Sequence, residues 1–69
     1  MKEREFKILK LLLNQKKFAL EYLSLYFNIS ERTIRNSIEK IREEILGRNI
    51  GEIKVLKKGI YYIFLFFLF

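Results

Sequence analysis

The chain has 69 residues, a net charge of +6 and an isoelectric point of about 9.8. It carries no cysteine and no histidine, which excludes disulfides, thiolate metal sites, cysteine nucleophiles and histidine acid–base chemistry. A chain this short forms one domain of marginal stability, and its positive charge favours an anionic partner, either nucleic acid or a membrane surface.

The first periodic segment runs over about 2–15. Phe6, Leu9 and Leu13 fall on one helical stripe, Ile8 and Leu12 widen it, and Leu11 lies nearly opposite. A helix apolar over more than half its circumference is usually covered on more than one side. Asn14, Gln15, Lys16 and Lys17 read as a polar link. A second helix follows over about 19–27, with Leu20, Leu23 and Phe27 on one face and Tyr22, Leu25 and Tyr26 on another. Asn28 tolerates the left-handed backbone that ends helices, and Ile29 packs under the turn. Ser30 is a candidate N-cap, and Glu31 suits the positive end of the next helix dipole.

The third helix spans about 31–46, with Gly47 as its expected stop. Ile34, Ile38, Ile41 and Ile45 recur at steps of 4, 3 and 4 and form one apolar stripe. Arg32, Asn36, Glu39 and Glu43 point the other way, flanked by Thr33, Arg35 and Lys40. A hairpin over about 52–64 closes the order. Ile53 and Val55 alternate with Glu52 and Lys54, Lys57 to Gly59 form the turn, and Ile60 to about Phe64 return. The expected fold is mainly α with a small β-hairpin, three helices and a wing in a single domain over 1–69: the layout of a winged helix-turn-helix. The N-terminal MKEREFK has charges of both signs and lacks the apolar stretch of a signal peptide. Ile60–Phe69 is wholly uncharged but shorter than the roughly 20 residues a membrane-spanning helix needs. The composition suits the reducing cytoplasm.

The stretch LEYLSLYFNISERTIRNSIEKI, Leu20 to Ile41, resembles the pattern of bacterial winged helix-turn-helix domains. It is most similar to those opening Mga-like and PTS-regulated activators and the biotin repressor. The positions that carry the likeness are Leu20, Leu23, Phe27, Ile29, Ser30, Arg32, Thr33, Ile34, Ile38 and Ile41. FKILKLLL resembles the first helix of such domains and KKGIYYI their wing, so the likeness covers about residues 4–63.

The resemblance implies that the third helix enters the major groove of double-stranded DNA. Arg32, Thr33, Arg35 and Asn36 are then the candidates for base edges. Arginine donates two parallel hydrogen bonds to guanine, and asparagine pairs similarly with adenine. Thr33 suits a phosphate or a thymine methyl. Ser30 caps the helix first and reaches a phosphate second. Lys40, Lys16, Lys17 and Lys54 are candidate flanking contacts, and Lys57 and Lys58 suit the backbone or minor groove at the wing tip. Leu9, Leu12, Leu13, Leu20, Leu23, Phe27, Ile29, Ile34, Ile38 and Ile41 are the expected core, and the basic side chains of the first helix are expected to be solvated.

The alternative is a protein-interaction module that uses Tyr22, Leu25, Tyr26 and the apolar tail, 64–69. The same groups are candidates for a homodimer contact. Three destinations suit the tail: the wide apolar surface of helix 1, a partner's sheet in a dimer, or the rest of a longer chain. Peripheral membrane binding is disfavoured, because the basic residues are not gathered next to the tail, as an interfacial anchor prefers. No enzyme, cofactor or small-molecule ligand is expected: the three glycines are isolated, so no phosphate-cradling loop forms.

Overall fold

A computed structural model describes residues 2–66. The elements are α1 (Glu3–Gln15), β1 (Lys17–Ala19), α2 (Leu20–Phe27), α3 (Glu31–Gly47), β2 (Gly51–Lys57) and β3 (Ile60–Leu65). The strands form one antiparallel sheet in the order β1-β3-β2, and the helices cover one of its faces. This is the winged helix-turn-helix architecture, with one element more than the sequence pattern implies. Lys17 and its neighbours, expected as a link, instead pair with the hairpin, Lys17 opposite Tyr62 and Ala19 opposite Ile60. A three-residue strand has no stability of its own and forms only where a ready-made edge accepts it.

The turn between α2 and α3 follows local chemistry. Asn28 takes the left-handed conformation, φ 55° and ψ 47°, and the Ile29 N–H donates to the Ser24 carbonyl at 3.1 Å. Ser30 caps α3 by accepting from the Thr33 N–H at 3.2 Å. At the other end Gly47 stays helical, and Asn49 is the residue with positive φ, 57°. Helix α3 therefore ends slightly later than glycine alone suggests. Gly59, at φ 75°, makes the hairpin turn as expected.

The core is built from Ile8, Leu12, Leu20, Leu23, Ile34, Ile38, Ile41 and Ile45, together with Phe18, Ile53, Tyr61 and Ile63. The isoleucine stripe of α3 is wholly buried, each full burial being worth about 1.5–3 kcal/mol. Helix α1 is rotated from the expected face. Phe6 (55%) and Leu13 (41%) are exposed, Leu9 is half-buried, and Ile8 and Leu12 point inward. Phe27 and Ile29 are half-buried at the rim rather than in the centre. Phe18 and Tyr61 stack with ring centroids 5.5 Å apart and tie β1 to β3. Val55 keeps the inward register, opposite Tyr61, but is exposed, as is Leu56, because β2 carries no buried residue beyond Ile53 as it runs out to the hairpin tip.

The same rotation of α1 buries a charge. The Glu5 side chain is 2% exposed and Ser37 of α3 is 1% exposed. Glu5 Oε1 accepts from the Lys2 backbone N–H at 3.0 Å, half of a capping box, since the lysine at the cap offers no acceptor in return. Ser37 Oγ donates to Glu5 Oε2 at 3.3 Å and accepts from Arg4 Nε at 3.2 Å. Arg4 is exposed, as expected, and its bond to Ser37 also links α1 to α3. Of the apolar tail, Phe64 and Leu65 are part of β3, and the Phe66 N–H donates to the Ile50 carbonyl at 2.9 Å. Residues 67–69 lie outside the described residues.

Candidate nucleic-acid interface

The start of α3 presents Arg32, Arg35 and Asn36 to solvent, all exposed, with Thr33 half-buried beside them. Two local facts fix this surface. The isoleucine stripe is pinned in the core, so the opposite side of the helix must face out. The Ser30 cap holds the first turn in place, and its hydroxyl also donates to Thr33 Oγ1 at 3.0 Å. The Thr33 hydroxyl keeps its own proton free for an outside acceptor.

Charge pairing changes along the helix. Arg42 meets Glu39 at 3.6 Å, and Arg48 meets Glu44 at 2.6 Å. The Arg48 guanidinium, by hydrogen bond first and charge second, holds the Glu44 carboxyl below its ordinary value. Among the described residues, Arg32 and Arg35 make no ion pair. Lys40 sits on the flank turned toward the start of α1, where it lines an open cavity with Lys2, Glu5, Glu43 and Glu44.

The remaining basic candidates fall into separate places. Lys57 and Lys58 form the wing tip, which is short and tied to the start of α2 by the Leu20 N–H donating to the Gly59 carbonyl at 2.7 Å. Lys16 closes α1 with φ 65°, and its carbonyl accepts from the Ile63 N–H at 2.7 Å. Lys17 and Lys54 stand opposite Tyr62 from the two neighbouring strands, on the sheet face turned away from the helices. Expected as contacts flanking α3, they stand on a different face from its exposed start. Tyr62 and Phe64 lie beside them, on a face the sequence does not mark, because every residue of β3 is apolar or aromatic. With no polar alternation, the pattern does not tell inside from outside.

A helix–turn–helix with a capped second helix, an exposed basic start and a hairpin behind it is thus in place. A family model described as an HTH domain matches residues 4–63. The chain belongs to the helix-turn-helix domain family. The match runs from the first turn of α1 into β3, so the motif pair α2–α3 and the supporting sheet are both included. No curated protein and no solved structure matches the chain. DNA binding is the activity that typifies helix-turn-helix domains, and α3 is the helix that occupies the recognition position of the motif. Among the described residues, no helix is long and apolar enough to cross a membrane, and no group of three or more acidic side chains is placed to hold a metal.

Proposed function

We propose that this helix-turn-helix domain reads double-stranded DNA in a sequence-specific way and acts as a cytoplasmic transcription regulator. Helix α3 enters the major groove by its first turns. Arg32, Arg35 and Asn36 meet base edges, Thr33 meets a phosphate or a thymine methyl, and Lys57 and Lys58 lie against the backbone or in the minor groove. The observation that carries this reading is the change in pairing along α3. Arg42 and Arg48 are neutralised by Glu39 and Glu44, whereas Arg32 and Arg35 are exposed and unpaired among the described residues. One half-site gives one domain little affinity, and a two-fold homodimer on a palindromic site supplies the rest. The exposed Tyr22, Leu25 and Tyr26 are the contact proposed for it.

The test is fluorescence anisotropy on a random-sequence duplex across a salt series. Each phosphate neutralised contributes about −0.9 to the log–log slope. We expect several contacts for the wild type and a marked loss for Arg32→Ala/Arg35→Ala, with a preferred site emerging on selection from a randomised pool. A flat slope, or unchanged binding by the double variant, refutes the assignment. The second reading, a protein-interaction module, is supported by Leu25, 75% exposed between two exposed tyrosines. It predicts that Tyr22→Ser/Tyr26→Ser abolishes partner binding in a chain that has no affinity for duplex.

A further inference from the structure

The outer face of the sheet carries a second arrangement that duplex reading through α3 does not use. Tyr62 and Phe64 lie along β3 with ring centroids 5.7 Å apart and planes 29° from parallel, and Phe66 continues the row at 5.8 Å from Phe64. Lys17 of β1 and Lys54 of β2 are registered opposite Tyr62 on either side, and Lys54 Nζ stands 5.7 Å from the centre of the Phe64 ring. Glu52, opposite Phe64, is the acidic residue on this face. Beside the row a cavity of about 200 Å³ opens where β3 runs on past the end of β1, with Leu13, Lys16, Tyr62 and Phe64 among its walls.

We propose that this face binds single-stranded nucleic acid. Its bases stack on Tyr62, Phe64 and Phe66, and its phosphates run past Lys17 and Lys54. Every base offers a π-face, so an aromatic row on an open sheet holds a strand without reading its sequence, while flanking ammonium groups hold the backbone. The cavity beside β3, mostly apolar with Lys16 at its wall, seats one base whose phosphate stays outside. A membrane surface shares the anionic chemistry but fits less well. Tyr62 and Phe64 are half-buried on a sheet, whereas interfacial anchors are helices with an apolar face sunk below the headgroups. The sheet face and the α3 surface are separate, so duplex and single strand occupy different sites.

The test uses the intact chain and a fluorescein-labelled oligo(dT) of about 12 nucleotides, within the span single-strand-binding folds cover. Wild type is expected to bind with a salt slope of about −0.7 per phosphate. Tyr62→Ala and Phe64→Ala should each weaken oligo(dT) roughly 5- to 100-fold, the range for loss of one base stack. Lys17→Ala/Lys54→Ala leaves the rings in place and should flatten the slope by about 1.4, two contacts' worth. Arg32→Ala/Arg35→Ala should bind oligo(dT) as wild type does. The proposal is overturned if folded wild type, checked by circular dichroism, does not bind oligo(dT) at low salt. It also fails if the lysine double variant binds it unchanged, or if the α3 variant loses it along with the duplex. Binding of anionic phospholipid vesicles without oligo(dT), or sheet-face self-association that Tyr62→Ala abolishes, likewise overturns it.

Discussion

Ser37→Ala should destabilise the domain far more than a serine on a charged helix suggests, and its effect should not add to that of Glu5→Ala. Ser37 Oγ gives Glu5 Oε2 a hydrogen bond of 3.3 Å and accepts one of 3.2 Å from Arg4. Both Glu5 and Ser37 are almost wholly buried. A hydrogen bond to a charged group contributes about 1.5–3 kcal/mol; the long geometry places this one near the lower end. The half-exposed Arg4 contact adds less than about 1 kcal/mol. Ser37→Ala should therefore cost about 2 kcal/mol. For a domain of this size that lowers Tm by roughly 8–16 °C. Glu5→Ala should cost at least as much, because it also frees the Lys2 N–H and leaves a void between α1 and α3. With either partner gone, the second substitution has less left to remove, so the cycle should show a coupling of about 1–2 kcal/mol. Thermal and urea unfolding followed by far-UV circular dichroism measure all four corners. Additivity within about 0.5 kcal/mol would show that the two groups do not interact, and the polar clamp between α1 and α3 would have to be discarded.

Ser30→Ala removes the α3 cap and should cost about 1 kcal/mol by urea unfolding, while also weakening duplex binding, since the first turn carries Arg32. Glycine offers a paired test with opposite signs. A Cβ at Gly51 would lie 2.5 Å from the Phe64 carbonyl oxygen and 2.9 Å from Leu65 Cδ2, so Gly51→Ala should destabilise by about 1–3 kcal/mol. A Cβ at Gly47 meets nothing within 4 Å, so Gly47→Ala should stabilise by roughly 0.4–1 kcal/mol. Glu44 titrates below its ordinary value of 4.5 because of Arg48, so this pair's contribution is complete above that value and disappears as pH falls through the lowered one. Arg48→Gln should return the Glu44 titration, followed by NMR, to the usual carboxylate range.

The segment from Asn28 to Ile45 was determined by sequence alone, because each feature there depends on near neighbours. A left-handed asparagine ends one helix, a serine three residues before a free N–H caps the next, and a strict isoleucine stripe sets which side faces the core. The hairpin turn at Gly59 is local in the same sense. Helix α1 was a different case. Apolar residues run around most of it, so periodicity offers little contrast between faces. Packing against distant elements turned Ile8 and Leu12 into the core and left Phe6 and Leu13 outside, and the same rotation set Glu5 against Ser37, a contact 32 residues apart. Strand β1 likewise has no signature within Lys17–Ala19 and exists because β3 offers it an edge. The division of the lysines follows from that pairing. A run of charge in sequence says how many cations there are. Only the sheet register decided that Lys17 and Lys54 stand together over Tyr62 and Phe64, apart from the arginines of α3, because strand partners come from distant parts of the chain and their side chains alternate between its faces.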